Sequence, residues 1–333
     1  MGEENPISYK FRWLDFKITN RCNNHCVYCG IKNDHPSAPE KLSFHIIKRT
    51  LDDAIEADFN YICLLGGEPS IREDIVDIIN IVGKEPNLHL RLITNLKAFN
   101  EDMYKALFNT ASGDAEIVAS FENFSYPNYK RVKPQTSMKR IKLIKKFAKE
   151  YQVKFNNTKK RSVSLHSVIS RENFCNIGEF VNYYYERNIS ISLGLVCPSI
   201  FTENPNKFNE FRKDEIQVVI NQLNDLEKQG KLNFANKVFR DFLNIYTFGK
   251  FSHRLYCWAG KKQVIINSDG EVFPCISESY ISSKRYGNIV NERFIDILNR
   301  FKNFICSMTP NSACWDHFLW DRLAKKIEED EVN

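Results

Sequence analysis

Nothing in this 333-residue chain approaches the ~20 consecutive apolar residues that cross a bilayer as a helix. The opening Met1-Gly2-Glu3-Glu4-Asn5-Pro6 holds neither a basic start nor an apolar stretch, so no export signal is read there. Myristoylation of Gly2 is excluded too, because Pro6 and Ile7 stand where that pattern needs Ser or Thr. Internal repeats and low-complexity tracts are absent, so the chain is neither a solenoid nor a disordered array. Without an export signal, ten cysteines read as metal ligands or thiols rather than disulfides. The expected location is the cytoplasm of a prokaryotic cell. What is present in bulk is ordinary. Hydrophobic residues make up 43%, and the length suits one large core, or a core with a smaller lobe.

Three cysteines share one short stretch, Cys22-Asn23-Asn24-His25-Cys26-Val27-Tyr28-Cys29. Thiolates at that spacing can wrap a single iron–sulfur cube. Three ligands for four irons leave one iron open to bind and reduce a ligand, whereas a fourth thiolate closes the site for electron storage. A structural zinc loop is the alternative; it takes a fourth Cys or His from a paired knuckle. His25 lies between two of the thiolates, where its ring does not reach a shared metal.

Strands and helices alternate downstream. Trp13–Ile18 reads as a first strand running into the cysteine loop. Tyr61–Leu65 is a second, ending in Gly66-Gly67-Glu68-Pro69. A helix over Glu73–Val82 follows, then a strand over Leu88–Ile93 ending in Thr94-Asn95, then a short helix over Asp102–Phe108. Glu116–Ala119 is a strand ending in Ser120-Phe121-Glu122-Asn123. A basic helix over Ser137–Tyr151, a strand over Ser162–Ile169, a helix over Phe174–Glu186 and a strand over Ile189–Val196 complete six β-α units. Such units imply an α/β fold with a parallel sheet, either doubly wound or curved into a partial barrel. In both, ligands gather at the carboxyl ends of the strands. The cysteine loop, Gly66–Pro69, Thr94-Asn95, Ser120–Glu122, Ser167–Arg171 and Cys197 all fall at such ends.

The cysteine triplet after the first strand, the aromatic Tyr28 before its third cysteine, and Gly66-Gly67-Glu68-Pro69 after the second strand resemble the radical S-adenosylmethionine (radical SAM) superfamily. That resemblance selects the partial (β/α)6 TIM-type barrel. It implies a [4Fe-4S] cluster on Cys22, Cys26 and Cys29, whose open iron chelates the amino and carboxylate groups of S-adenosylmethionine. Reduction then cleaves the sulfonium bond to a 5′-deoxyadenosyl radical. On that reading Gly66 and Gly67 let the backbone approach the ligand. Glu68 offers an acceptor near the methionyl ammonium, and Pro69 stiffens the turn. Ser120 and Glu122 resemble the ribose-contacting pair after the fourth strand. Thr94 and Asn95 either contact the cofactor or cap the next helix. Ser170 and Arg171 stand where a related subgroup carries carboxylate-binding groups, or else open a surface helix.

The last quarter carries a second pattern. Cys257-Trp258-Ala259-Gly260 precedes a strand over Gln263–Asn267. Ser268-Asp269-Gly270 makes a tight turn, and Glu271-Val272-Phe273-Pro274-Cys275 returns. The hairpin places Cys257 and Cys275 near one end. Tyr286-Gly287-Asn288-Ile289, a helix over Glu292–Asn303, Cys306 and Cys314 follow. This resembles the SPASM/Twitch extension of radical SAM enzymes, in its shorter Twitch form, because only Cys306 and Cys314 come after the hairpin. The resemblance implies one auxiliary [4Fe-4S] cluster on Cys257, Cys275, Cys306 and Cys314, closed by four thiolates. A structural zinc site on the same residues is the alternative. The expected domains are a radical SAM partial barrel over 1–199, a helical bridge over 200–256 that can cover the barrel mouth, and a small α+β Twitch lobe over 257–333. The bridge includes a helix over Asp214–Gln229 with Gly230 as its C-cap.

Cys63 and Cys175 are expected in the core. Cys197, at the rim of the sixth strand, is a candidate hydrogen donor to a substrate radical, and His166 a pocket histidine rather than a base. The expected reaction takes a hydrogen atom from an unactivated carbon of a ribosomally made peptide. It ends in a crosslink, an oxidation or an epimerisation, with the auxiliary cluster as electron acceptor. Two-electron dehydrogenation of a small metabolite, such as a sugar or aminocyclitol, is the alternative. Only 21 residues precede Cys22, so a separate peptide-recognition protein is expected, with a flavodoxin- or ferredoxin-type electron donor. Residues 139–161 hold ten basic residues and one acidic residue. They lack the aromatic–basic surface that stacks bases, which leaves RNA modification or nucleic-acid binding as the distant reading. No membrane partner is expected.

Overall fold

The computed structural model describes residues 12–26, 29, 33–110, 113–121, seven positions within 139–149, 161–196, 211–248, 259–281 and 285–303. Strand β1 (Trp13–Thr19) shows the alternation that builds the sheet. Leu14, Phe16 and Ile18 point into the core and are fully buried, while Trp13, Asp15, Lys17 and Thr19 take the other face. Strands β2 (Tyr61–Gly66), β3 (His89–Thr94), β4 (Ala115–Ser120), β5 (Arg161–Ile169) and β6 (Ser190–Leu195) follow. All are parallel, and each lies beside its predecessor. A doubly wound sheet reverses its strand order at a switch point. Here the order runs one way, which makes the sheet the arc of a partial barrel.

Helix α1 (Phe44–Glu56) has no counterpart in the expectations above. Ser43 caps it by accepting from Ile46 N, and Ile47, Leu51 and Ala54 pack into the core. Helix α4 (Ile177–Tyr185) falls within its expected segment, and α2 (Ile75–Gly83) and α3 (Glu101–Lys105) overlap theirs, each passing one end by a residue. The wide turn Ala106–Thr110 prolongs α3, and the tight turn Phe174–Asn176 leads into α4. Cys175 sits in that turn and is exposed, not in the core. The buried face of α4 is formed by Ile177, Phe180, Val181 and Tyr184, and Cys175 precedes it. The seven described positions of the basic helix are helical; the rest of it lies outside the described residues.

The C-terminal hairpin joins the same sheet. Strand β7 (Gln263–Ile266) pairs parallel with β1, and β8 (Val272–Phe273) antiparallel with β7. Among the described residues the sheet therefore has eight strands in the order β6-β5-β4-β3-β2-β1-β7-β8. The hairpin that begins the C-terminal lobe thus continues the barrel sheet. Two side chains tie it further: Lys17 Nζ donates to Asn267 Oδ1 at 2.9 Å, and Gln263 Nε2 to Asp15 Oδ2 at 3.4 Å. Helices α7 (Ile276–Ile281) and α8 (Phe294–Leu298) follow, the latter tightening into a 3-10 turn over Asn299–Asn303.

The opposite edge, β6, packs against α4 and α6 (Phe234–Phe248), and α5 (Lys213–Lys228) packs against both of those helices. Asn236, itself buried, accepts from Leu193 N and donates to Ile191 O, both at 3.0 Å. Asn233 Nδ2 donates to the same carbonyl at 2.6 Å.

The concave face carries charge. Asp15, Cys63, Arg91 and Glu116 stand side by side across four strands. Arg91 Nε and Ser164 Oγ donate to Glu116 at 2.8 and 2.7 Å. Burial alone raises an acid, but the nearby His89 ring, the Arg91 charge and the Ser164 bond outweigh it and hold Glu116 at about 2. Asp15 has weaker support, and burial pushes its carboxyl up. Cys63 is buried as expected, yet it faces this charged row. Burial, then the Asp15 charge, raise its thiol well above the usual range. Among the described residues no helix is long and apolar enough to cross a membrane.

Candidate active site

The thiol loop leaves the end of β1. Its base is closed by Asp34 N donating to Asn20 O at 2.9 Å and Cys22 N to Asp34 O at 3.2 Å. Cys22 is buried; Cys26 and Cys29 are half-buried. Cys29 N donates to Cys26 O at 3.0 Å. Two N–H groups point at sulfur: Asn24 N at Cys22 Sγ (3.4 Å) and Asn33 Nδ2 at Cys29 Sγ (3.5 Å). Burial raises Cys22 to about 11, and the charges of Glu68, Cys26 and Cys29 add to it. The three thiols thus feel one another. Even so, among the described residues no three His, Cys, Asp or Glu side chains stand at metal-ligating separation.

Asn24 is buried, and neither atom of its side-chain amide has a hydrogen-bond partner among the described residues. Buried polar atoms are rarely left so. Three thiols on one loop, N–H donors aimed at sulfur and an unsatisfied amide beside them fit a multi-thiolate group with room for a further ligand.

The Gly66–Pro69 turn is laid directly on this loop. Gly67 N donates to Thr19 O at 2.9 Å and Glu68 N to Arg21 O at 2.8 Å. A Cβ at Gly66, whose φ is +147°, would lie 2.2 Å from Thr19 O, and one at Gly67 2.2 Å from Arg21 O. What the glycines admit here is the backbone of the thiol loop. Glu68 is buried, and its carboxylate is fully engaged. Oε1 accepts from Ser70 N (3.1 Å), Ser70 Oγ (2.5 Å) and Thr94 Oγ1 (2.6 Å), and Oε2 from Asn95 N (2.6 Å). Burial raises its pKa against the pull of those bonds. The carboxylate therefore binds the turn to the end of β3.

Thr94 and Asn95 do not cap the next helix; Asn100 does, accepting from Met103 N at 3.1 Å. Asn95 instead donates to Asn23 Oδ1 in the thiol loop at 2.9 Å. Ser120 stands opposite His166 at the end of β4. His166 Nδ1 lies 3.0 Å from Ser192 Oγ. Ser170 is buried and closes a turn with Glu172 and Asn173. Arg171 pairs with Glu215 of α5 at 3.0 Å. Tyr28, Glu122, Cys197, Cys257, Cys306 and Cys314 lie outside the described residues.

Arg72 went unnoticed in the sequence. Buried, it donates to Ile18 O at 2.8 Å and to Leu42 O at 3.2 Å, and pairs with Asp74 at 2.7 Å and Glu40 at 3.2 Å. It fixes both ends of the segment that carries the thiols. Its only sequence signal is a cation three residues beyond Pro69.

Residues 16–184 match the profile of the radical SAM superfamily, and residues 257–316 that of an iron–sulfur cluster-binding domain, SPASM. The chain belongs to the radical SAM superfamily. As a radical SAM enzyme it binds S-adenosylmethionine and a [4Fe-4S] cluster, and its SPASM domain binds auxiliary iron–sulfur clusters. Of the auxiliary cysteines, Cys275 is described. It is buried where β8 meets α7, with Glu278 N aimed at its sulfur at 3.4 Å.

This radical SAM chain is 25% identical over 275 residues to an uncharacterized protein of Methanocaldococcus jannaschii, covering 79% of this chain and 84% of the relative. Over 88 residues it is 31% identical to the GTP 3′,8-cyclase of Synechococcus elongatus, which is 26% of this chain and 27% of that one. Among solved structures, Streptococcus suis SuiB bound to the precursor peptide SuiA matches with a TM-score of 0.63 at 15% identity, over 92% of this chain and 71% of that one. Native anSMEcpe with bound AdoMet matches with a TM-score of 0.62 at 15% identity, over 96% and 99%. At such identities the likeness is one of fold.

Proposed function

We propose that this radical SAM enzyme is an oxidoreductase or maturase that modifies a ribosomally made peptide at an unactivated carbon. The observation that carries the reading is the fold shared over 92% of the chain with SuiB, a protein solved with a precursor peptide bound. When bound, the first cluster and S-adenosylmethionine supply a 5′-deoxyadenosyl radical, and an auxiliary four-iron cluster on Cys257, Cys275, Cys306 and Cys314 supplies an electron acceptor.

The chain's own residues do the rest. Cys22, Cys26 and Cys29 hold the first cluster. Glu68, Thr94 and Asn95 keep the Gly66–Pro69 turn at a fixed bearing to the thiol loop, so its main-chain groups meet the cofactor pre-oriented. Tyr28, Ser120, Glu122 and Ser170 complete the cofactor rim, and Arg171 holds α5 against it. The β1–β7 pairing sets the auxiliary lobe beside the barrel. The electron donor is a flavodoxin- or ferredoxin-type protein, and a separate protein presents the peptide.

The test is anaerobic incubation of reconstituted enzyme, S-adenosylmethionine and dithionite with peptides encoded by short reading frames beside its gene. Expected is 5′-deoxyadenosine release stimulated by one peptide. That peptide then loses two hydrogens, or gains solvent deuterium at one carbon. Stimulation by sugars, aminocyclitols or nucleotides and by no peptide overturns the reading. The likeness to GTP 3′,8-cyclases supports that second, small-molecule reading.

A further inference from the structure

Helix α1 starts where the thiol segment ends, and its other half reaches the C-terminal region. Asp53 is 0% exposed. Its carboxylate accepts from Arg293 Nε at 2.8 and 2.9 Å, from Arg293 Nη2, and from Phe294 N at 2.9 Å. It therefore caps α8 in place of a residue of α8's own segment, whose N-cap, Arg293, makes no side-chain capping bond. One turn earlier, Arg49 Nη2 donates to Ile289 O and, at 3.4 Å, to Glu292 O. The Phe59 and Phe294 rings pack beside these bonds with centroids 5.7 Å apart.

The strip that Arg49 grips is bonded to the hairpin in turn. Val272 N donates to Gly287 O at 3.0 Å, and Ile289 N to Gly270 O at 2.9 Å. Gly287-Asn288-Ile289 thus lies between the hairpin that leads to Cys275 and the helix that leads toward Cys306. At the other end of α1, Ser43 caps the helix directly after Leu42, whose carbonyl Arg72 holds together with that of Ile18. A single helix, fixed at each end by a buried charged side chain, spans from the thiol segment to the SPASM domain.

We propose that Arg49 and Asp53 are positioning residues: a clamp that sets the SPASM domain against the first-cluster loop so that electrons can pass from substrate to the auxiliary cluster. The last clause rests on the electron-acceptor reading above. A carboxylate without solvent contact costs stability that a packed apolar residue does not. What the carboxylate adds is direction, since four bonds converge on it from one helix start.

Hydrogen exchange on the full chain tests the clamp, both metal-free and reconstituted. In Asp53→Ala and Arg49→Met, amides within 286–298 should exchange at least about tenfold faster, while those of β1–β3 stay unchanged. Asp53→Asn, which keeps an acceptor for Phe294 N, should fall between. In the reconstituted variants the auxiliary-cluster electron paramagnetic resonance signal should broaden or shift. Uncoupled 5′-deoxyadenosine release should stay within about twofold of wild type. Unchanged exchange at 286–298 overturns the proposal, as does equal acceleration across β1–β3. Should Asp53→Ala not fold, Arg49→Met and Arg293→Lys, both at partly exposed positions, decide by the same criteria. Faster exchange at 286–298 with an undiminished product rate leaves the dock standing and overturns the electron-acceptor reading.

Discussion

Thr94, at the end of the third strand, reaches across to the turn after the second and donates its hydroxyl to Glu68, Oγ1 to Oε1, at 2.6 Å. The adjoining amide, Asn95 N, takes the other oxygen at the same distance. Every group facing this carboxylate is a donor. Glu68→Gln must aim an NH2 group at one of them, which predicts a loss of about 1–3 kcal/mol in denaturant unfolding. Weaker S-adenosylmethionine binding should accompany it, because the turn loses its bearing. Thr94→Ser keeps the bond and should stay close to wild type. A Glu68→Gln protein with wild-type stability and no cofactor binding would show instead that the carboxylate touches the cofactor.

Glu116 sets a pH dependence. Its carboxyl is held at about 2 in the folded chain against an ordinary value of 4.5, so the folded state binds that proton more weakly than the unfolded state. The stabilisation is fully present above about 4.5 and is lost as pH falls toward 2, up to roughly 3 kcal/mol in all. Glu116→Gln lacks it at every pH. Urea titrations of both proteins between pH 7 and 2.5 should therefore show a stability gap that closes on acidification. A constant gap would refute the assignment.

The cysteines divide into two sets. Reconstituted wild type should bind about eight irons, and the Cys22/Cys26/Cys29→Ala triple variant roughly half, with no 5′-deoxyadenosine formed, since each cube is held by its own thiolates. Cys257→Ala with Cys275→Ala should still cleave S-adenosylmethionine but yield no substrate product, with circular dichroism confirming the fold. Iron at background with one zinc bound in the triple variant would make the C-terminal site a zinc site. Product at the wild-type rate from a folded double variant would make the auxiliary cluster structural, and a hydrogen-donor role for Cys197 the better chemistry.

Much of this was legible in the sequence, for identifiable reasons. Period-two alternation marks β1, where Leu14, Phe16 and Ile18 face the core. Six alternating units announced the parallel sheet. Periodicity carries no strand order, so barrel and doubly wound sheet stayed indistinguishable until the resemblance was invoked. Helix α1 was missed because Arg49 and Asp53 interrupt its apolar face, and their partners lie some 240 residues away. The β1–β7 pairing was missed for the same cause: a short apolar strand does not name its neighbour. The Gly-Gly-Glu-Pro turn was read correctly as to place. The direction of the Glu68 side chain, inward to Thr94, follows from packing that no local pattern encodes. Cys175 was misplaced because thiols are usually buried, and this one falls in the turn ahead of the apolar face of α4.

At the far end of the sheet, Asn236 has a consequence outside chemistry. Among the described residues β6 is the last strand on its side, and an open strand edge presents N–H and C=O groups where another chain could attach. The Asn236 amide offers one acceptor and one donor with the spacing of a peptide group, and it engages Leu193 N and Ile191 O as a seventh barrel strand would. Asn233 and Asn236 together thus occupy edge groups of β6 that another strand could otherwise pair with.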